Sequence, residues 1–252
     1  MKKRIFALFL SALLLTTVLC ACGDEKSEEA GGIGSNGTSS SGEPVTGGEL
    51  VVGISQDLGD SLDPYQMTAA GTREVLFNVY EGLVKPNVSG EYVPAVASDS
   101  TVSEDGLTYT FPLREGVLFH NGEAVTAEDV IFTFNILLEK GDPMYRHYYA
   151  DVAQVVAEDK LRVRFDFKHQ DNRELPLILG QIQVLPKHWW ATRDFSKGDL
   201  EPPLGSGPYR IGKVAPGSAV TFERVKDWWA KDLPVSRGLY NFDRDRKSTR
   251  LN

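Results

Sequence analysis

Leu107, Tyr109, Phe111 and Leu113 alternate with Thr108, Thr110 and Pro112, the period of a strand with one buried face. Pro112 withdraws a ladder donor, which predicts that this strand lies at a sheet edge near its end. Asn121-Gly122 supplies two residues tolerant of positive φ for a tight hairpin turn. Thr126 reads as an N-cap with Asp129 at N3, and Val125 and Val130 occupy the hydrophobic-staple positions. Val130, Ile131, Phe134, Leu137 and Leu138 share one helical face, and Gly141 with Pro143 closes that helix.

Downstream, Leu161, Val163, Phe165 and Phe167 alternate with Arg162, Arg164 and Asp166. With residues 152–157 they predict a hairpin across 158–160, its basic residues forming a solvated face. Residues 209–214 and 220–225 predict another hairpin around Ala215-Pro216-Gly217-Ser218. Residues 49–54 form a short apolar strand, and Val75, Leu76, Val79 and Leu83 are spaced as the core face of a helix. Adjacent Trp189 and Trp190 suit either an aromatic wall for a ligand or a helix start packed on the core.

The first residues follow another logic. Residues 1–4 are basic and 5–18 apolar, a run shorter than the roughly 20 residues that span a bilayer. This is the pattern of a secretory signal peptide over residues 1–22. Residues 23–46, rich in Gly, Ser and Glu, read as a flexible tether. The formal charge is −8, and loss of Lys2, Lys3 and Arg4 with the leader makes it −11. An acidic domain repels nucleic acid and anionic lipid, so neither is an expected partner.

Catalytic and cofactor signatures are sparse. Both cysteines, Cys20 and Cys22, lie in the leader, which leaves the mature domain without a thiol. His120, His147, His169 and His188 show no paired metal-ligand spacing. No Gly-x-Ser-x-Gly and no His-Glu-x-x-His occurs. Gly205-Ser-Gly-Pro-Tyr209 is followed by no Gly-Lys-Ser/Thr, and Pro208 removes an N–H that a phosphate cradle needs. The expectation is a protein without cofactor or metal, and not an enzyme.

Residues 114–130, Arg-x-Gly-Val-x-Phe-His-Asn-Gly-Glu-x-Val-Thr-Ala-Glu-Asp-Val, resemble the hallmark of the family 5 extracellular solute-binding proteins, the oligopeptide- and dipeptide-binding receptors of ABC importers. Asn78-x-Tyr80-Glu81-Gly82-Leu83 resembles the same family. From Lys140 onward, Lys-Gly-Asp-Pro-Met-Tyr-Arg-His-Tyr-Tyr, Asn172-Arg-Glu-Leu-Pro and Arg224-Val-Lys-Asp-Trp-Trp-Ala-Lys-Asp-Leu-Pro resemble its microcin C and oligopeptide branch. Leu19-Cys20-Ala21-Cys22 resembles a bacterial lipobox, with Cys22 the lipidated residue, as in Gram-positive members. A natural mixture and a join of two sources both fit that change of branch.

The resemblance implies an α/β fold of the type 2 periplasmic-binding-protein class with a discontinuous first lobe. Residues 47–85 and 201–244 would form lobe I, with 86–200 an inserted subdomain and the second lobe outside this sequence. Residues 245–252 depart from the family and resemble sequencing-adaptor read-through. The implied function is capture of oligopeptides outside the cytoplasmic membrane by a lipid-anchored monomer that delivers them to a permease and its ATPase. In a Gram-negative cell this would be the periplasmic space. A metal chelate, haem or a sugar is the alternative cargo, and a surface enzyme the more distant alternative. Thr68, Ala70, Gly71, Thr72 and Gly207 are the implied ligand contacts. A helix N-terminus near Thr68 offers free N–H groups to a carboxylate or carbonyl, although Thr68 or Thr72 serves equally as a helix cap.

Overall fold

The computed structural model describes residues 44–54, 61–65, 77–170, 174–198 and 200–249. Two four-stranded sheets and a small hairpin carry the architecture. The first sheet joins the two ends of the described chain. Strand β1 (Glu49–Gly53) lies parallel to β10 (Arg244–Ser248), which pairs antiparallel with β9 (Ala219–Arg224), itself paired with β8 (Tyr209–Ala215). The second sheet is wholly antiparallel. Its order is β4 (Thr101–Val102), β5 (Thr108–Pro112), β7 (Arg162–Phe167), β6 (Val152–Asp159). Between them in the chain, β2 (Val84–Pro86) and β3 (Tyr92–Pro94) make a separate hairpin.

The alternation seen in the sequence sets the faces of the second sheet. Val163, Phe165 and Phe167 are buried while Arg164 points outward to Glu158 and Asp166. Helix α1 (Ala127–Lys140) covers the buried face, placing Phe134 edge-on to Phe165 at 5.9 Å with Leu137 fully buried. Phe111 meets Phe165 at the same spacing from the other side. Such aromatic pairs add roughly 0.5–1.5 kcal/mol beyond the area they bury.

Two local expectations are corrected. Strand β5 is internal, because β7 pairs along its whole length and β4 along part of it. Pro112 is tolerated there because β4 ends at the Thr101–Thr110 pair, two residues before the proline. The Asn121-Gly122 turn uses positive φ at Gly122 alone (+87°). Gly122 N–H donates to Phe119 O at 2.9 Å, which makes a type I turn closed by a left-handed glycine rather than a two-residue turn.

Residues 245–252, expected to stand apart from the family, include most of β10. Its inward positions are polar: Asp245, Lys247 and Ser248 are buried, and Lys247 Nζ lies 3.0 Å from Asp245 Oδ2. Hydrophobic patterning cannot find a strand of that composition. Among the described residues no helix is long and apolar enough to cross a membrane.

The start of α1 does more than cap a helix. Asp129 Oδ2 accepts from Thr126 N–H and Oγ1–H at 2.9 and 2.8 Å, while Oδ1 accepts from Lys187 N–H at 2.9 Å. One buried carboxylate thus ties α1 to α4 (Lys187–Trp190). Asp129→Ala should cost about 2–3 kcal/mol, a lost cap plus buried donors left unpaired. Urea unfolding of the two proteins measures this; a loss under about 0.5 kcal/mol would remove the joint role.

Candidate functional site

A cavity of about 560 Å³ opens between residues 80–86, helix α2 (Pro143–Tyr148) and the segment after helix α3 (Leu175–Gly180). Its size is that of an ordinary ligand pocket. Tyrosine dominates the lining. Tyr145, Tyr148 and Tyr149 follow the i, i+3, i+4 spacing that puts three rings on one helical face. Tyr145 meets Tyr65 edge-on at 5.7 Å and lies 5.8 Å from Tyr149, which packs on Phe134 at 5.3 Å. The aromatic wall is therefore continuous with the core under α1.

Backbone pairing holds the opposite wall. Gly82 bridges Gln183, and Val184 N–H donates to Glu81 O at 3.0 Å. Tyr65 Oη–H donates to Gln183 O at 2.9 Å from a left-handed backbone, φ +66°. Tyr92 Oη–H donates to Gln181 Oε1 at 2.9 Å. Tyr80 is 2% exposed, and its hydroxyl has no hydrogen-bond partner among the described residues. A buried hydroxyl left unmatched is costly.

The cavity is electrically neutral. Burial pushes the phenols of Tyr65, Tyr80 and Tyr149 well above their ordinary range, with neighbouring tyrosines or Asp63 adding to it, so they stay protonated. Glu81 and Lys85 are the charged residues of the described lining, and they pair at 2.7 Å. Burial raises the Glu81 carboxyl, and the ammonium pulls part of that back. For Lys85 burial opposes the charge, but attraction to Glu81 and Tyr240 outweighs it and keeps the ammonium protonated. Lys85 Nζ also lies 5.2 Å from the Trp228 ring centroid and 5.4 Å from that of Tyr240, within cation–π range.

Of the contacts implied by resemblance, Thr68, Ala70, Gly71 and Thr72 lie outside the described residues. Gly207 sits beneath the cavity rather than in its lining. Its N–H donates to Val79 O at 2.8 Å, and its carbonyl faces His120 Nε2 at 3.0 Å. Burial lowers the His120 pKa, so the neutral ring donates there. A Cβ on Gly207 would fall 2.5 Å from Asn78 O, and one on Gly205 would fall 1.9 Å from Val79 O. Ser206 completes the junction: its carbonyl accepts from the indoles of Trp228 and Trp229, both at 2.9 Å. Trp190 packs edge-on against Phe195 at 5.1 Å, and Trp189 lies under the Arg193 guanidinium, so the tryptophan pair belongs to packing.

Sequence reasoning missed the tyrosine wall and the Glu81–Lys85 pair. The three tyrosines spaced for one face were the available signal. Glu81 is buried like a core residue, yet it carries a charge that Lys85 matches.

These features stand within a known family. The model of the bacterial extracellular solute-binding proteins, family 5 (middle), matches residues 91–245, and the chain belongs to that family. A probable peptide-binding protein, YejA, of Agrobacterium fabrum is 39% identical over 194 residues, covering 73% of this chain and 31% of its own length. The oligopeptide-binding protein AppA of Bacillus subtilis, solved with a nonapeptide, superposes with a TM-score of 0.70 at 23% identity. That match covers 82% of this chain and 41% of AppA. CtaP of Listeria monocytogenes, a substrate-binding protein of an ABC transporter, gives a TM-score of 0.69 at 28% identity over the same shares. The chain thus spans about a third of the length of the curated relatives it matches. Its architecture is α/β and belongs to the type 2 periplasmic-binding-protein fold.

The ion pair yields a test. Lys85→Met strands a carboxylate in a site where it is 3% exposed, at a cost of about 3 kcal/mol. Adding Glu81→Gln to the same chain should recover most of that loss. Denaturant midpoints of the single and double variants measure both, and a double variant no better than the single would show that the pair is not coupled.

Proposed function

We propose that this chain is the ligand-capturing part of an ABC importer receptor that takes oligopeptides outside the cytoplasmic membrane and passes them to a permease and its ATPase. The observation that carries the reading is a neutral cavity lined by tyrosine and glutamine in a chain of family 5. Peptide backbones present N–H and C=O groups that must be matched on leaving water, and hydroxyls and amides match them at whatever register the peptide adopts. A wall without unpaired charge selects against no particular side chain, as a receptor for varied peptides requires. The Agrobacterium relative, named a probable peptide-binding protein, and the nonapeptide in AppA support the same cargo. Thr68, Ala70, Gly71 and Thr72 belong to this proposal as the ligand-facing helix start. Gly207 contributes by holding residues 78–80 in place under the cavity. Residues 47–85 and 201–244 act as one lobe and 86–200 as its inserted part, working as a monomer.

Mass spectrometry of small molecules that co-purify with the protein from its native cells is the test. Short peptides are the expected result. Recovery of haem, a metal chelate or an oligosaccharide in their place would reassign the cargo.

The tether and Leu19-x-Ala21-Cys22 support a lipid anchor on Cys22. Cys22→Ser should move the protein from the membrane fraction to the soluble one and abolish incorporation of radiolabelled fatty acid. Unchanged labelling would refute the anchor.

A further inference from the structure

A second cavity, of about 510 Å³, opens between the β2–β3 hairpin, Arg114 and the turn at residues 233–239. It shares no described lining residue with the tyrosine cavity, and its size is again that of a ligand pocket. Val88, Val93, Pro94, Leu233, Val235 and Leu239 give it apolar walls. Val88 is 92% exposed and Leu239 43%, so apolar surface is gathered here rather than scattered singly. Backbone bonds hold both walls in place. Gly90 N–H closes the hairpin on Asn87 O at 3.0 Å, Ser236 N–H donates to Leu233 O at 2.8 Å, and Leu239 N–H donates to Ser236 O at 3.0 Å.

Two guanidinium groups stand among these apolar side chains, and no acidic residue is in the described lining. Each is fixed through its Nε: Arg114 donates to Ala95 O at 2.8 Å and Arg237 to Asp232 O at 3.2 Å. Among the described residues no carboxylate pairs with either, and their Nη groups have no acceptor. The Nη atoms of half-buried Arg114 are not sealed from solvent, and Arg237 is exposed. Of the nearby acids, Glu115 is exposed and forms no ion pair with Arg114, while Glu91 accepts from the Asn87 amide at 3.0 Å. A guanidinium anchored by Nε still offers its Nη donors, in a fixed plane, to a carboxylate.

We propose that this cavity binds a small apolar molecule that ends in a carboxylate. The apolar body lies along Val88, Val93 and Leu239, and the carboxylate meets the Nη groups of Arg114 and Arg237. Neither half suffices. An ion pair at a partly open surface is weak by itself, and an uncharged body would cover two guanidinium groups without supplying an acceptor. A fatty-acid-like carboxylate and the C-terminus of an apolar peptide share this chemistry. The site is separate from the tyrosine cavity and does not depend on the peptide-receptor reading.

The test is isothermal titration calorimetry of the full chain with sodium octanoate, octan-1-ol and sodium acetate, and with N-acetyl-leucyl-leucine and its amide as the peptide arm. Octanoate or the peptide acid should bind saturably, and whichever binds more tightly names the source. Octanol, acetate and the peptide amide each lack one half of the ligand and should bind at least about tenfold more weakly. Arg237→Gln and Val88→Asp alter exposed side chains and should fold as the parent does. The first removes one guanidinium and should weaken binding about threefold; the second sets a carboxylate at the apolar rim and should weaken it at least about tenfold. Octanol binding as tightly as octanoate, equal affinity in the parent and both variants, or no saturable binding of either acid overturns the proposal.

Discussion

Two backbones cross at closer than side-chain distance where residues 205–207 run over residues 78–80, and most of the described structure is positioned from that crossing. Neither glycine can carry a Cβ there without meeting a main-chain atom. The crossing is also where hydrogen bonds converge. Gly205 O accepts from His120 N–H at 2.8 Å, Gly207 N–H donates to Val79 O, and Ser206 O takes both indole donors. The motif hairpin, the opening segment and the Trp228–Trp229 turn are all referred to one short stretch. Because Tyr80 is one of the clasped residues and Glu81 follows directly on them, the placement of the cavity wall depends on this crossing more than on either sheet.

The sequence carried the regular parts of this structure clearly and the junctions poorly. Helix α1 begins at Thr126 and ends at Gly141 because its cap, its staple and its apolar face agree with one another. The β6–β7 and β8–β9 hairpins were equally legible, since each buries one face. Glycines 205 and 207 gave no such signal. A glycine selected for close approach looks the same in sequence as one selected for a turn, and only the partner strand tells them apart. Strand β10 was illegible for a different reason, since its inward residues are an aspartate, a lysine and a serine.

The candidate site was less legible than the fold because its residues come from six separate segments of the chain: Tyr65, residues 77–86, Tyr92, residues 144–149, residues 178–183 and Tyr240. Tyr65 and Tyr240 show the difficulty. Both hold positive φ, +66° and +57°, without being glycine, and such backbones cost on the order of 1 kcal/mol or more. Local preference argues against both conformations. They persist because the ring of Tyr65 is fixed by Gln183 O and Tyr145, and that of Tyr240 by Trp228 at 5.4 Å and Tyr209 at 6.2 Å. Tertiary contacts chosen far away in sequence decide the backbone at these two points, so no reading of their neighbours could have found it.

Tyr240 lines two cavities of different composition. In the tyrosine cavity the single cation is matched by Glu81; the smaller cavity, about 170 Å³, is lined by Arg224, Lys226 and Lys231, of which Arg224 pairs with Asp243 and Lys231 with Asp232. A lone ammonium at Lys85 would leave a buried charge unbalanced. Glu81 cancels it, and the two aromatic faces stabilise the ammonium further. A buried ion pair seldom adds net stability over an apolar pair of the same size. Its consequence here is electrostatic: it leaves the larger cavity without an unbalanced charge in its described lining.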